Sequence, residues 1–148
     1  MTQILASLTI NAPIDAVWPW VADITKHPQW SPKPYNVELI SGVNGVVGSK
    51  YRSTGFVPPA DKNHQNEVEL TELVPHSKVV FTAHDANGYF LNSYKLESVG
   101  QGTLVTFQHD FPTMKGAARI LVPILVPLTG KKEALKRLGL LKAKVEAR

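Results

Sequence analysis

The sequence predicts an α+β fold in which seven strands form an antiparallel sheet and a long helix follows them at the C-terminus. Two short helices are expected after the first strand. Most of the chain consists of segments of alternating apolar and polar residues, separated by short turns, which favours an antiparallel meander. Apolar residues recur at helical spacing directly after the first of these segments. The Leu- and Lys-rich C-terminal segment also has a helical period.

The N-terminal segment predicts the first strand and the helices after it. Ile4–Ile10 places its apolar residues on one face by alternation. Pro13 suits the first position of a helix, where the N–H that proline lacks would have no partner. The apolar stripe of this helix consists of Ile14, Val17, Trp18 and Val21. Pro19 falls inside the helix and predicts a kink or a loosened turn. We expect His27, in the short second helix, to be solvated.

Six further strands are predicted in the middle of the chain. They cover Tyr35–Ile40, Gly48–Phe56, Gln65–Val74, Lys78–His84, Tyr89–Val99 and Thr103–Phe111. The glycine-rich segment Gly42–Gly48 joins the first two of them. Because no helix is expected to begin there, this segment is a turn and not a phosphate-binding loop.

Two hairpin turns predict which residues face each other. Asn87-Gly88 is a strong signal for a two-residue turn, and Gln101-Gly102 is a weaker one. The pairs expected across the first turn are Ala83–Asn92, Phe81–Tyr94 and Val79–Leu96, and those across the second are Leu96–Phe107, Tyr94–His109 and Asn92–Phe111. A slip of one residue would expose Phe107 and Phe111 to water, which argues against it.

Both hairpins place one set of residues on a single, mostly apolar face. The apolar members are Val79, Phe81, Ala83, Leu96, Phe107 and Phe111, and the polar members are Asn92, Tyr94 and His109. Buried polar groups need a partner, which is another side chain, a water molecule or a ligand. An apolar cavity with a few convergent polar groups is typical of a small-molecule site. The residues expected to line such a site are Phe81, Ala83, Asn92, Tyr94, Leu96, Phe107, His109 and Phe111. The alternative is a Tyr94–His109 hydrogen bond inside a filled core.

The C-terminal segment predicts two helical pieces. Pro123 and Pro127 each remove a backbone donor, which disfavours one straight helix through both positions. A second piece would begin at Thr129 or Gly130. Its apolar stripe would consist of Leu135, Leu138, either Leu141 or the stem of Lys142, and Val145. Gly139 lowers the helix propensity of this piece, which suggests close packing or a bend.

Composition excludes several classes of function. There are no cysteines, which excludes disulfides and thiolate metal sites, and no His/carboxylate motif indicates a metal. The first basic residue is Lys26 and the longest apolar run, Ile120–Leu128, is short and holds two prolines, so we expect a cytoplasmic protein without a membrane span. The net charge of +4 comes from the C-terminal helix, because Lys131–Arg148 holds seven basic and two acidic residues. A solvated helix face is the simplest explanation, and we expect no nucleic-acid partner.

The opening of the chain resembles a known superfamily. Ile10-Asn11-Ala12-Pro13-Ile14-Asp15-Ala16-Val17-Trp18 leads to Asp23 and then to His27-Pro28-Gln29-Trp30-Ser31-Pro32. This pattern is similar to the start of START-like (SRPBCC, polyketide cyclase/dehydrase-like) proteins, and Leu141-Lys142-Ala143-Lys144-Val145-Glu146 resembles common endings of the family. The resemblance implies one START-like domain over residues 1–148 with a helix-grip fold, in which the sheet wraps around the C-terminal helix and encloses a pocket for an apolar molecule.

Three functions are compatible with these observations. The first is binding or transport of a hydrophobic small molecule, such as a lipid, an isoprenoid or a polyketide-like compound, without a cofactor. The second is a cyclase or dehydratase in which His109 acts as general acid or base and Tyr94 polarises an oxygen. The third is an interaction protein that works through the basic residues of its last helix, which are Lys131, Lys132, Lys136 and Arg137. The oligomeric state stays open.

Overall fold

A computed structural model describes residues 2–57, 61–86 and 88–147, without the side chains of 56–57 and 61–64. Within this part of the chain, seven strands form one antiparallel sheet. They are β1 (Gln3–Ile10), β2 (Tyr35–Ser41), β3 (Lys50–Val57), β4 (Asp61–Val74), β5 (Lys78–Asp85), β6 (Gly88–Val99) and β7 (Gly102–Met114). The order is β1-β7-β6-β5-β4-β3-β2, so that β2 to β7 form a meander and β1 pairs with β7.

The helices lie where the sequence predicts them. Helix α1 (Ile14–Ala22) and a 3₁₀ helix (Ile24–Trp30) follow β1. Three consecutive helical segments end the chain, namely α2 (Ala118–Leu125), a π-turn (Val126–Gly130) and α3 (Lys131–Glu146). The seven-stranded antiparallel sheet and the long C-terminal helix confirm the predicted α+β, helix-grip fold. No helix in the described residues has both the length and the apolarity needed to cross a bilayer.

The break predicted at the two C-terminal prolines does not occur. Pro123 lies inside α2, and Pro127 lies near the start of the π-turn. The residues at the boundaries of both segments have helical backbone angles. In a π-turn each N–H bonds five residues back instead of four, and such turns occur inside longer helices. The changed bonding pattern accommodates a residue that has no N–H, so the helical path continues into α3.

Both predicted hairpin registers are wrong by two residues. Asp85 pairs with Gly88, so that Phe81 faces Asn92 and Val79 faces Tyr94. In the second hairpin Val99 pairs with Gly102, and the remaining pairs are Tyr94–Phe107, Asn92–His109 and Leu96–Val105. Asn87, half of the predicted Asn87-Gly88 turn, lies outside the described residues. Because the shift is an even number of residues, every side chain keeps its predicted face of the sheet.

The position of Gly88 explains the first shift. Gly88 begins β6 with a φ of 141°, and a Cβ atom built on it would lie 2.0 Å from the carbonyl oxygen of Thr113 in β7. The glycine is therefore needed for the close approach of two strands, which is a role distinct from a place in a hairpin turn.

The concave face of the sheet and α3 enclose the core. The buried stripe of α3 consists of Ala134, Leu138, Leu141 and Val145. Leu135, predicted on this stripe, is 38% exposed. Gly139 has open space around it, since a Cβ atom there would meet nothing within 4 Å, so close packing does not explain this glycine.

Candidate functional site

A cavity of about 410 Å³ lies between the concave face of the sheet, the 3₁₀ helix and α3. Strands β2 to β7 all contribute to its wall. Six of the eight residues that the sequence suggested for a ligand site line this cavity, and they are Phe81, Ala83, Asn92, Tyr94, Phe107 and His109. Their inward direction follows from the alternation of side chains along β5, β6 and β7.

The other two suggested residues do not line the cavity. Leu96 is buried in the hydrophobic core, one pleat beyond Tyr94 along β6. The ring of Phe111 stacks on that of His109, with centroids 4.3 Å apart and an angle of 15° between the planes. Phe111 thus packs against a residue of the cavity wall.

Tyr94 is fixed at the centre of an aromatic cluster. Its ring centroid lies 4.8 Å from that of Phe107, 5.4 Å from that of Trp30 and 5.6 Å from that of His27. Phe81 stacks on it at 6.3 Å. Since each of these contacts restricts rotation of the ring, the Tyr94 hydroxyl has a defined position. The predicted pairing of Tyr94 with His109 is wrong because of the register shift.

Arg137 brings a positive charge into the cavity from α3. Its charge acts on the Tyr94 hydroxyl and opposes the rise that burial causes in the pKa of that group. The guanidinium carbon lies 5.9 Å from the centroid of the Phe107 ring. Arg137 was expected on the solvated face of the helix, but it lines the cavity. A sequence signal was available, because residue 137 lies three positions after Ala134 and four before Leu141, on the buried side of the helix.

His27 is buried, in contrast to the expectation that it is solvated. It is 3% exposed, and its Nε2 lies 2.8 Å from the carbonyl oxygen of Val21. Burial lowers the pKa of His27 to about 4, and the nearby Arg137 cation acts in the same direction. The ring is therefore neutral at pH 7, and Nε2 carries the proton that it donates to Val21.

His109 is also held neutral. Burial and, to a smaller extent, the Arg137 cation lower its pKa to about 4, and Asp110 opposes both effects. Among the described side chains, two buried polar atoms have no hydrogen-bond partner, and these are His109 Nε2 and Asn66 Oδ1. Both residues line the cavity. Buried polar atoms without partners are rare, so these two are candidates for contacts with a ligand or with water.

The remaining ionisable groups of the cavity complete its electrostatics. Burial raises the pKa of the Tyr94 and Tyr35 hydroxyls, which therefore stay protonated and available as donors. Lys33 and Asp85 also line the cavity and carry opposite charges. In the described part of the chain, no group of three or more His, Asp or Glu residues is arranged to hold a metal ion.

Comparison with solved structures identifies similar folds. The Zhui aromatase/cyclase from Streptomyces sp. R1128 has a TM-score of 0.76 at 16% identity, covering 99% of this chain and 94% of that chain. A protein from Thermus thermophilus has a TM-score of 0.75 at 15% identity, with coverage of 99% and 98%. Major latex-like protein 151 from Panax ginseng has a TM-score of 0.73 at 14% identity, with coverage of 97% and 96%. At these identities the likeness concerns the fold.

Comparison with protein families is more specific. No curated protein matches the sequence at a significant level. Residues 1–146, however, match the family described as "Polyketide cyclase / dehydrase and lipid transport". This match confirms the resemblance that the opening motif indicated, and it extends through α3. The protein therefore belongs to the polyketide cyclase/dehydrase and lipid transport family.

Proposed function

We propose that the protein binds a small, largely apolar molecule in its cavity and acts as a binding or carrier protein. The cavity of about 410 Å³, walled by aromatic rings, carries this proposal. Its volume falls in the range of about 300–1,000 Å³ that is usual for small-molecule pockets. A ligand that buries ~250 Å² of apolar surface there would gain ~6 kcal/mol at ~25 cal/mol per Å².

The electrostatics of the cavity favour binding over proton transfer. General acid–base catalysis at neutral pH works best with a group whose pKa lies near 7. Burial lowers the pKa of both His27 and His109 to about 4 and raises the pKa of Tyr94. At pH 7 the imidazoles are neutral and the phenol is protonated. These groups can donate hydrogen bonds to a ligand, but they are poorly matched to moving its protons.

A cyclase or dehydratase is the second candidate function. The family match and the aromatase/cyclase among the similar structures favour it. In such an enzyme, Arg137 and Tyr94 would stabilise a developing enolate oxygen. His109 would face the same cavity from β7, the strand next to that of Tyr94. Catalysis would then depend on charge stabilisation more than on the acid–base role first suggested for His109.

Native mass spectrometry of the purified protein tests the binding function. Extraction into organic solvent would identify a co-purifying molecule, and a panel of fatty acids, isoprenoids and aromatic polyketides would measure affinity. Ala83→Trp fills the cavity and is expected to abolish binding. Ala143→Trp, at an exposed position of α3, is the matched control. Equal binding by the two variants would reject the cavity as the site.

His109→Ala separates the two candidate functions. A carrier loses affinity and yields no product with any ligand of the panel. A cyclase keeps most of its affinity and loses product formation from a poly-β-ketone substrate. The third function, a basic interaction surface, requires charge reversal at Lys131, Lys132 and Lys136 to have the larger effect. Arg137 no longer belongs to that surface, because it faces the cavity.

A further inference from the structure

We propose that Arg137 anchors an acidic group, so that the ligand is an apolar molecule carrying one carboxylate. This inference rests on the proposed function and names the chemical class of its ligand. The side chain reaches the cavity from α3, beside the Tyr94 hydroxyl and the ring of Phe107.

The charge of Arg137 has no carboxylate partner among the described side chains. Lys33 and Asp85 carry opposite charges, so the described lining of the cavity retains one net positive charge, that of Arg137. Arg137 is partly buried, and a cation that loses hydration in a cavity is costly unless it is paired. A ligand carboxylate would complete the pair.

The donors of Arg137 match a carboxylate in number and geometry. A guanidinium has five N–H donors in a planar fork. A carboxylate accepts two parallel hydrogen bonds from such a fork, which a hydroxyl or an ester carbonyl does not. The ring of Phe107 lies within cation–π range and holds the guanidinium in place.

The neutral histidines support the same ligand class. Arg137 lies within electrostatic reach of His27 and His109, and its cation lowers the pKa of each. With both imidazoles neutral, neither histidine adds a positive charge beside Arg137. The unpartnered Nε2 of His109 is a further donor in its N–H tautomer, available to the second oxygen of a carboxylate.

Matched acids and alcohols on three skeletons test the proposal by calorimetry at pH 7.5. The pairs are decanoic acid and decanol, geranic acid and geraniol, and 1-naphthoic acid and 1-naphthalenemethanol. We expect the acid of at least one pair to bind tenfold or more tightly than its alcohol. Arg137→Met is expected to reduce this ratio to within threefold while the alcohol keeps its affinity. Arg137→Lys retains the charge and is expected to retain part of the preference. Lys136→Met, the exposed neighbouring residue, is the control and should leave the ratio unchanged.

The outcomes separate this inference from the proposed function. If alcohols bind as tightly as acids, or if Arg137→Met keeps the preference, the carboxylate anchor is wrong and the binding function stands. If none of the six compounds binds and Ala83→Trp behaves as the unaltered protein does, both proposals are wrong.

A second inference rests on α2, which buries none of its residues, and on Leu128 in the π-turn after it. The exposed fractions of Ile120 and Leu128 are 68% and 73%. We define the α2 apolar face by Ile120, Leu121, Ile124, Leu125 and Leu128, all of which are exposed. Exposed apolar side chains in one contiguous patch mark a surface that another molecule covers.

The charges around this face indicate what covers it. Lys115 and Arg119 lie at one end of the α2 segment and Lys131 and Lys132 at the other. No acidic residue occurs in the sequence between Lys115 and Lys132. An apolar helix face flanked by basic residues fits the surface of an anionic bilayer, where apolar side chains enter the acyl boundary and cations meet the headgroups. A second copy of the chain would bring like charges together. We infer that α2 docks on anionic lipid membranes.

Sedimentation of the full chain with lipid vesicles tests this surface. We expect at least tenfold stronger binding to phosphatidylcholine vesicles containing 30% phosphatidylserine than to pure phosphatidylcholine, with loss of binding at high salt. Ile120→Ser with Ile124→Ser should reduce binding tenfold or more. The control pair, Val43→Ser with Val46→Ser, removes exposed apolar side chains from the loop between β2 and β3. It should leave vesicle binding unchanged. Equal binding to both vesicle types, or a dimer that forms through α2 without vesicle binding, would overturn the inference.

Discussion

Acidification should destabilise the protein well above the pH at which carboxylates titrate, and His27 is the main cause. Its pKa is about 4 in the folded protein, against an ordinary value of 6.5. As the pH falls, the unfolded chain therefore takes up the proton before the folded protein does. The stabilisation is complete above pH 6.5 and is lost progressively as the pH falls towards 4.

The size of the effect follows from the two pKa values of His27. Between pH 7.5 and pH 5 the free energy of unfolding should decrease by ~2 kcal/mol through this one residue. His109 adds a smaller decrease, because its ring is only half-buried on the cavity wall. The Asp23 carboxyl does not contribute in this interval. Burial raises its pKa, but hydrogen bonds from Thr25 and Asn44 outweigh that effect, so its pKa lies below the usual range and it stays ionised.

Urea denaturation followed by circular dichroism at pH 7.5 and pH 5 measures this loss. His27→Gln removes the titrating group and should reduce the pH-dependent loss by ~2 kcal/mol, whatever its effect on stability at pH 7.5. His84→Gln, at an exposed position of β5, is the control and should leave the loss unchanged. Equal pH-dependent losses in His27→Gln and the unaltered protein would refute the assignment to His27.

Three further substitutions test individual contacts by urea denaturation. Gly139→Ala should stabilise the protein by ~0.5–1 kcal/mol, because the new Cβ meets nothing within 4 Å and alanine favours the helix; a loss of stability would contradict the open space seen there. Gly88→Ala should destabilise the protein by more than ~2 kcal/mol, since the Cβ would lie 2.0 Å from the Thr113 carbonyl oxygen. An unchanged urea midpoint would show that β6 and β7 can move apart at this point without loss of stability. Thr103→Val should cost ~1–3 kcal/mol, because the buried hydroxyl donates to the Ala12 carbonyl oxygen at 2.8 Å; a neutral effect would mean that this carbonyl finds another donor.

The faces of the sheet were predictable from the sequence, although the pairs across it were not. Alternation along β5, β6 and β7 determines which side chains point inward, and it does not depend on the turn. The turn determines the pairs. Asp85 pairs with Gly88, and Gly88 enters β6, where β7 approaches too closely for any side chain. That requirement involves two strands distant in sequence, so no local turn signal could reveal it.

His27 could have been assigned to the interior from its spacing alone. Ile24, His27 and Trp30 are three residues apart, and residues at this spacing share one face of a 3₁₀ helix. All three are buried. A period of 3.6 residues does not group these three positions, so the usual α-helical pattern gives no sign of their shared face.

Arg137 was not predicted to line the cavity, for a related reason. His27 and Arg137 together explain why only part of the site could be predicted. On α3, Arg137 occupies the buried side between Ala134 and Leu141, yet its charge led to its assignment to the solvated face. A polar residue at an apolar position of a helical stripe needs a reason to be there, and in a hollow fold that reason is the cavity. Alternation along the strands was enough to predict the apolar wall of the site. The Arg137 charge and the His27 imidazole come from helices, where each residue is an exception to the apolar pattern. Selection of a ligand by charge, as we propose for Arg137, therefore depends on a polar residue within an apolar stripe, which the apolar pattern alone does not predict.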